Sequence, residues 1–307
     1  MRLPSQTPRA TPSAFAWLIN QPYLLLSLTS LFWAGNIVLG RFIAGHVPPV
    51  ALSFIRWSGA CLLLMPLALP HLRRDWPQIR ASLPFMLLLT VTSISAYNTL
   101  AYIGLQYTTA LNALLMQSSG PLFVAFWSFA LFRTRLTLVQ AFGILVSLAG
   151  VLTIIARGDL STFAGISFNK GDLLMLGALM VFCIYSAMMP YRPQIHPLAF
   201  LAFTTGVGSM LLIPFVIWEI STGYTMQVDL QTALTLAYVV IFPSTLAYLC
   251  YNRGVELIGA NRSAPFYHLI PVFGSALAIG LLGEEPRLFH LIGYALVLSG
   301  VFIAARR

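Results

Sequence analysis

Residues 81–132 read ASLPFMLLLTVTSISAYNTLAYIGLQYTTALNALLMQSSGPLFVAFWSFALF, and these 52 residues include no Asp, Glu, Lys, Arg or His. A soluble domain carries about 25% charged residues, whereas this chain of 307 residues has 8% charged and 58% hydrophobic residues. No water-soluble fold of this size can hide so much apolar surface. The composition therefore predicts an all-α integral membrane protein, because helices satisfy their own backbone groups in lipid.

Runs of roughly 20 mainly apolar residues, which is the length that crosses a bilayer, occur ten times along the chain. The loops between them are short and leave no room for a soluble domain. Residues 1–21 are polar and contain prolines, which is atypical of a cleaved signal peptide, so we expect a cytoplasmic N-terminal tail. The ten predicted spans are 22–42, 50–70, 84–105, 109–132, 138–155, 169–189, 197–217, 232–252, 262–283 and 287–305.

Loop charges predict the orientation of the ten spans. Basic residues concentrate on the cytoplasmic side of a membrane protein, and twelve fall on one side here against four on the other. Both termini are therefore expected in the cytoplasm, which predicts a multi-pass protein of the bacterial inner membrane. The twelve are Arg2, Arg9, Arg73, Arg74, Arg80, Arg133, Arg135, Arg192, Arg253, Arg262, Arg306 and Arg307, and the four are Arg41, Arg157, Lys170 and Arg287.

The net charge of +9 does not indicate a nucleic-acid partner, because the basic residues are scattered over short loops and form no patch. Basic loops in a membrane protein instead contact anionic lipid. The expected partners are thus membrane lipid and a small-molecule substrate, with no nucleic acid.

The chain matches itself at an offset of 150 residues, so that Pro121 coincides with Pro271 and Gly150 with Gly300. Each half then holds five spans, and because five is odd the second half must enter the membrane from the opposite side. The predicted domains are two inverted five-helix repeats, 22–156 and 169–305, around a central cavity. This architecture is typical of secondary transporters; a duplication without alternating access is the alternative.

Several short motifs, in order and partly in two copies, resemble the EamA type of the drug/metabolite transporter superfamily. They are FWAGN at 32–36, FIRW at 54–57, a P-x-F motif in spans four and nine, and GEE at 283–285. The resemblance covers residues 22–305 and implies a ten-helix exporter of small metabolites, with spans five and ten at the periphery. The narrower expectation is a YddG-type exporter of aromatic and other amino acids; related branches carry sugars, sugar phosphates, nucleotide sugars or cationic drugs.

Polar side chains inside the spans are the candidate substrate-binding residues, because an unpaired polar group in lipid costs several kcal/mol. Asn36 shares one helical stripe with Thr29, Trp33 and Gly40, which we expect to face the cavity. The alternative is a hydrogen bond between helices, which contributes about 1 kcal/mol. Aromatic rings interleaved with amides suit a small, partly apolar zwitterion. The predicted cavity residues are Trp33, Asn36, Tyr97, Asn98, Asn112, Met116, Gln117, Ser118, Tyr185, Ser186, Tyr248, Asn252, Tyr267 and His268.

Two prolines and two ionisable residues complete the candidate site. Pro121 and Pro271 each free a carbonyl and bend a helix, so the residues before them are expected to line the cavity; a kink without a binding role is the alternative. His268 can titrate near pH 7 and is a candidate for proton coupling, or else a packed neutral side chain. Arg56 could pair with a substrate carboxylate, but we favour a guanidinium that snorkels to the interface or bonds to loop carbonyls.

The predicted function is export of small neutral metabolites, above all aromatic and other amino acids, by alternating access. Export of cationic drugs or sugar-type metabolites is the alternative, and a scaffold or a channel is the lower one. Enzyme activity is not expected, since no H-x-x-x-H motif, paired carboxylates or Ser-His arrangement occurs. The three cysteines lack ligand spacing, so neither metal nor cofactor is expected. Glycines on spans five and ten suit packing within a monomer or contact in a homodimer.

Overall fold

The computed structural model describes residues 17–133, 137–155, 158, 169–258 and 264–305, and the regular structure within them is entirely helical. Residues 1–16 of the predicted tail lie outside this part, as do Arg135, Arg157, Arg262, Arg306 and Arg307 of the orientation argument. The helices are α1 Pro22–Phe42, α2 Pro49–Ala81, α3 Leu83–Leu105, α4 Ala110–Gln117, α5 Gly120–Phe132, α6 Leu138–Ile155, α7 Lys170–Met188, α8 Pro197–Ser221, α9 Leu230–Ile258, α10 Leu269–Leu282 and α11 Leu288–Ala305.

Helix length and composition make this a membrane protein. In the described part of the chain, six helices are long and apolar enough to cross a bilayer: α1, α2, α3, α7, α8 and α9. The pair α4 and α5, bent by 49° at the break before Pro121, makes a seventh if it is one span. The remaining apolar helices are shorter: α6, α11, and α10 with the 3-10 turn Ala264–His268 in front of it.

Helix α2 is longer than predicted, because residues 71–81 continue it where the sequence indicated a loop. Three prolines lie inside it, and its end carries Asp75 and three arginines, which is why the composition favoured a loop. The extension is held by packing: Ile79 is fully buried in a cluster with Met86, Phe200 and Phe203 from the starts of α3 and α8.

Carboxylates hold the antiparallel pair α2 and α8 together at both of its ends. Glu219, near the end of α8, accepts hydrogen bonds from the backbone N–H groups of Val50 and Ala51 at 3.0 and 2.9 Å. Asp75, near the end of α2, accepts one from the backbone N–H of His196 at 2.7 Å, just before α8 begins. Each carboxylate thus satisfies N–H groups that a helix start leaves unpaired.

The first helix of each predicted half packs into the other half. Helix α1 lies against α9 and α10, whereas α7 lies against α3 and α5. The hydroxyl of Thr29 donates to the carbonyl of Ala247 at 3.2 Å, and that of Ser30 donates to the carbonyl of Phe266 at 2.7 Å. The halves are therefore interleaved around one core.

Helices α6 and α11 form the closest pair at the edge of the bundle. A Cβ atom added to Gly150 would lie 2.6 Å from the carbonyl oxygen of Gly293, so only glycine permits this approach. Small residues of this kind let membrane helices pack backbone to backbone.

Two π-helical segments interrupt long helices at matching places in the two halves. Val91–Ser95 lies within α3, and Phe242–Leu246 lies within α9. A π turn inserts one extra residue and changes the direction in which the side chains beyond it project, and such turns often occur at functional sites.

The two ends of the bundle differ in charge. We call the end at which helices α2, α4, α7 and α9 begin the acidic end, and the opposite one the arginine end. The acidic end holds Asp172, Glu219, Asp229 and Glu284, and the arginine end holds Arg73, Arg74, Arg80, Arg133, Arg192 and Arg253.

Candidate functional site

The centre of the bundle is organised around Arg56, whose side chain is only 3% exposed. Its Nε donates to Ser244 Oγ at 2.6 Å. Its Nη1 lies 3.1 Å from Asn36 Oδ1, 2.8 Å from Asn98 Oδ1 and 3.0 Å from the Tyr102 hydroxyl. Four helices, α1, α2, α3 and α9, therefore meet at one guanidinium, which we call the Arg56 centre together with these four partners.

The expectation that Arg56 snorkels or bonds to loop carbonyls is wrong. All four partners are neutral side chains within helices, and the described residues include no carboxylate paired with this guanidinium. Within the same part of the chain, Nη2 forms no hydrogen bond. The Trp57 ring lies against the guanidinium, with its centroid 4.5 Å from Cζ, so a cation–π contact supports the buried charge.

The π-helical segments position the members of this centre. Asn98 Nδ2 donates to the carbonyl of Ser93 at 3.0 Å, five residues earlier. Ser244 Oγ donates in the same way to the carbonyl of Val239 at 2.7 Å. These bonds satisfy carbonyls at the wide turns and leave Asn98 Oδ1 and Ser244 Oγ free to accept from the guanidinium.

Aromatic rings from α1, α9 and the 3-10 turn form one wall beside the Arg56 centre. The Trp33 ring centroid lies 5.8 Å from that of Tyr248, 5.6 Å from that of Tyr251 and 5.4 Å from that of Tyr267. Trp33 Nε1 donates to the carbonyl of Pro243 at 3.2 Å, inside the second π segment. These rings are partly exposed, Tyr267 most of all at 38%; we call them the first aromatic wall.

A second aromatic wall comes from α3 and α7. The Phe182 ring lies 4.6 Å from that of Tyr97 and 5.5 Å from that of Tyr185, and Gln117 Nε2 donates to the Tyr97 hydroxyl at 2.9 Å. Tyr97 and Tyr185 are partly exposed.

Both aromatic walls adjoin the Arg56 centre. The Tyr248 ring of the first wall lies 6.2 Å from the Trp57 ring that covers the guanidinium, and Tyr97 of the second wall directly precedes Asn98, a partner of Arg56. We call the region bounded by the two aromatic walls and the Arg56 centre the chamber, with aromatic side chains along its sides and a polar centre at its base.

The structure brings together only part of the predicted cavity set. Trp33, Asn36, Tyr97, Asn98, Gln117, Tyr185, Tyr248 and Tyr267 belong to the chamber or to its base. Ser186 is partly buried and donates to the carbonyl of Phe182 at 3.1 Å, while Ser118 is buried at the bend before Pro121. Asn252 and His268 are partly buried; His268 ends the 3-10 turn three residues before Pro271, and its ring has no hydrogen bond among the described residues.

Asn112 and Met116 lie elsewhere than the sequence predicted. Met116 is 1% exposed and packs in the apolar core. Asn112 is at the first turn of α4, where its Nδ2 lies 3.3 Å from Asp172 Oδ1 and its Oδ1 lies 3.0 Å from His290 Nε2. Thr108 donates to the same carboxylate oxygen.

This network has a defined direction. The backbone N–H of Arg287 lies 2.9 Å from His290 Nδ1; since a backbone N–H can only donate, Nδ1 is unprotonated and Nε2 carries the hydrogen. His290 therefore donates to Asn112, and Asn112 donates to Asp172. The chain of hydrogen bonds joins α11, α4 and α7, and we call it the His290 chain.

Glu284 reinforces the same contact. Its two carboxylate oxygens accept from the backbone N–H groups of Ala110 and Leu111 at 2.8 and 2.9 Å. The start of α4 is thus tied to the second half by Glu284 and by the His290 chain. An open recess of about 480 Å³ lies beside it, lined by Arg41, Gln106 and Glu284 among others, and the Arg56 centre does not contribute to it.

Sequence reasoning missed three contributors, namely Tyr102, Ser244 and Tyr251. Tyr102 lies near a predicted span end, where tyrosines commonly anchor a helix at the interface, yet it is 2% exposed and donates to Asn36 Oδ1 at 2.7 Å. A signal was available in Arg56 itself, because an ionisable residue within a span is a functional candidate by default.

Comparison with known proteins agrees with this architecture. The model of the EamA-like transporter family matches residues 20–156 and again 169–306. The uncharacterized transporter YyaM of Bacillus subtilis is 24% identical over 92% of this chain and 93% of its own length. An uncharacterized transporter of Archaeoglobus fulgidus is 28% identical over 94% and 98%. A probable terminal-alkyne amino-acid exporter of Streptantibioticus cattleyicolor is 26% identical over 92% of each chain.

A solved crystal structure shares the fold, with a TM-score of 0.62 and 19% identity over 93% of this chain and 98% of the other. The two family matches together span nearly the whole chain, and the relatives named above are transporters, not enzymes. This chain therefore belongs to the EamA-like transporter family, as a multi-pass membrane transporter of small molecules.

Proposed function

We propose that this transporter exports aromatic and other apolar amino acids through the chamber between the two aromatic walls. The observation that carries the proposal is the pairing of partly exposed rings with a buried polar centre at the base of the chamber. Rings accept an apolar side chain, whereas polar groups fix the orientation of the charged end. Trp33, Asn36 and Tyr97 would act at the site, with Asn98 supporting it.

The relatives support the same substrate class, since one of them is named a probable amino-acid exporter. A cationic drug is the poorer candidate because it would meet the positive charge of Arg56 at the base of the chamber. Like charges at close range in a low-dielectric site repel strongly.

Alternating access is the proposed mechanism, with ten spans arranged as two inverted repeats, 22–156 and 169–305. The family model matches the chain in two segments close to these bounds, and the π-helical segments recur at the same place in each half. In the proposed orientation the arginine end and both termini lie in the cytoplasm of a bacterial cell, as the positive-inside rule expects. The acidic end then faces outward and is closed by Glu284 and the His290 chain.

Transport by purified protein in liposomes tests the proposal. The liposomes are loaded in turn with labelled phenylalanine, leucine, glutamate, lysine, a hexose and a quaternary ammonium compound. We expect saturable efflux of phenylalanine and leucine. Trp33→Ala should reduce phenylalanine efflux at least tenfold, because it removes the ring that contacts three tyrosines.

Trp218→Ala is the matched control, since this tryptophan is 63% exposed near the end of α8, and its efflux should equal that of the unmodified protein. Movement of only the hexose or the ammonium compound by folded protein would contradict amino-acid export and leave the family assignment standing.

A further inference from the structure

We propose that Arg56 binds the carboxylate of the transported molecule, so that the substrates are monocarboxylates with an apolar or aromatic body. This inference rests on the proposed function and specifies its chemistry. It predicts that an amino acid is selected over the same molecule with its carboxylate converted to an amide or removed.

The Arg56 guanidinium is held at one edge only. An arginine side chain has five N–H donors in a rigid plane. The Arg56 centre engages Nε and Nη1 through its four neutral partners, while Nη2 has no acceptor among the described residues. The side chain is thus fixed at one edge, and two N–H groups remain to receive a ligand.

The positive charge of Arg56 is not paired with a carboxylate of the described chain. Taking a cation out of water costs several kcal/mol unless an anion or a full set of acceptors compensates it. The three carboxylates that are buried in the described chain are engaged elsewhere: Glu219 caps α2, Asp75 accepts from Arg74 and from the N–H of His196, and Asp172 accepts from Thr108 and Asn112. A substrate carboxylate at Nη2 would supply the missing negative charge.

Two buried hydrogen-bond donors near Arg56 on α2 also lack partners among the described residues. Trp57 lies against the guanidinium, and its Nε1 is buried without a hydrogen-bond partner in the part of the chain that the structure describes. The hydroxyl of Ser53 is also buried without a hydrogen-bond partner in the described part of the chain. Ser53 lies three residues before Arg56 and four before Trp57, so the three residues share one face of α2. Unsatisfied buried donors are uncommon, and both of these lie on α2 within one turn of Arg56.

A ligand must also be able to reach Arg56. Tyr248 of the first wall has its ring 6.2 Å from the Trp57 ring that covers the guanidinium, and Tyr97 of the second wall directly precedes Asn98, a partner of Arg56. Tyr97 and Tyr248 are both partly exposed. A ligand whose carboxylate reaches Nη2 would therefore place its apolar body between the walls. This explains why the base of the chamber is cationic and its sides are aromatic.

Ligand binding to the unmodified protein gives the first test. Thermal unfolding is followed with phenylalanine, 3-phenylpropionate, phenylalaninamide or phenethylamine at equal concentrations, in chloride and in sulfate buffers. We expect the two carboxylates to raise the unfolding temperature in both buffers, and the amide and the amine to bind at least tenfold more weakly. Equal binding of acid and amide would overturn the inference, and so would competition by chloride that abolishes the preference.

Variants give the second test. Arg56→Gln should lower phenylalanine efflux at least tenfold and abolish the preference for acid over amide, whereas Arg56→Lys should keep the preference at reduced affinity. Tyr102→Phe removes one partner of the guanidinium but not its charge, and it should keep the preference. A folded Arg56→Gln protein that still prefers the acid would refute the role of Arg56.

The two proposals fail in different ways. If phenylalanine and phenylalaninamide move equally well, amino-acid export stands and carboxylate binding at Arg56 is wrong. If no compound of the panel binds or moves while the protein is folded, amino-acid export itself fails. Should Arg56→Gln not fold, the comparison of ligands on the unmodified protein decides alone.

Discussion

Asn112→Ala should open the acidic end. Asn112 links His290 to Asp172, and in the proposed cycle α4 must leave both of these partners before substrate can exit. Alanine removes the link while it preserves the helix, because alanine has the highest helix propensity. The substitution therefore weakens the closed state without disturbing α4 itself.

The magnitude follows from the two hydrogen bonds that are lost. Hydrogen bonds between membrane helices contribute about 0.6–2 kcal/mol each, and a bond to a carboxylate contributes about 1.5–3 kcal/mol. Together they favour the closed state by about 2–5 kcal/mol, which corresponds to a shift of roughly 30- to 4,000-fold between closed and open forms. Asp172 keeps its bond from Thr108, so we expect the lower part of this range.

Cysteine accessibility measures the shift. Cys61, Cys183 and Cys250 are replaced, and a cysteine is introduced at Ile37, which is 6% exposed in the core cluster that includes the α4 residues. A membrane-impermeant maleimide added from the acidic end should label it at least tenfold faster when Asn112→Ala is present. Gln140→Ala, which removes an exposed amide bonded to Thr137, is the control and should change nothing. Unchanged labelling in folded Asn112→Ala protein would refute the role of the His290 chain in closure.

Three further substitutions test the packing around the site. Glu219→Ala leaves two buried N–H groups at the start of α2 unpaired, which should destabilise the protein by about 3–6 kcal/mol; an unfolding temperature within a degree or two of the unmodified protein would contradict this. Gly150→Ala should destabilise by about 1–3 kcal/mol through overpacking against α11, while Gly177→Ala, with no atom within 4 Å of the new Cβ, should not; thermal unfolding of both variants compares them directly. The Arg74 guanidinium and the N–H before α8 hold the pKa of Asp75 below its usual range. Because the pKa is lower in the folded state, this stabilisation is present above the unfolded pKa of about 3.9 and is lost as pH falls through the folded value. When the free energy of unfolding is measured from pH 6 downwards, it should therefore decrease less in Asp75→Asn than in the unmodified protein.

The local sequence pattern predicted some residues of the site and missed the role of others. Trp33, Asn36 and Asn98 could be predicted because polar and aromatic groups stand out in apolar runs. The role of Arg56 could not, since its partner Ser244 is 188 residues away and an isolated arginine near a span end commonly snorkels. Asn112 looked like the other span amides, but its place at the first turn of α4 puts it beside Asp172 and His290 rather than at the centre.

The fold, too, was predictable from the sequence only in part. Hydropathy predicted the position of nearly every helix, because each apolar run is long and continuous. It could not predict the extension of α2 over residues 71–81, whose charged and proline-containing sequence is helical only because Ile79 finds a core on α3 and α8. Nor could it predict which helices cap one another, as Glu219 and Asp75 act on helix starts far away in sequence.

The interleaving of the halves has a consequence for how the protein is made. Helix α1 is synthesised first, yet 236 residues separate Ser30 from its partner Phe266. At about 5–20 residues per second, α1 waits on the order of 10–50 s in the membrane before its final neighbours emerge. During that interval Thr29 and Ser30 can rely on acceptors within their own helix, the carbonyls of Leu25 and Leu26 at 2.9 and 3.1 Å. These hydroxyls serve α1 first as a lone helix in lipid and only later as its attachment to the second half.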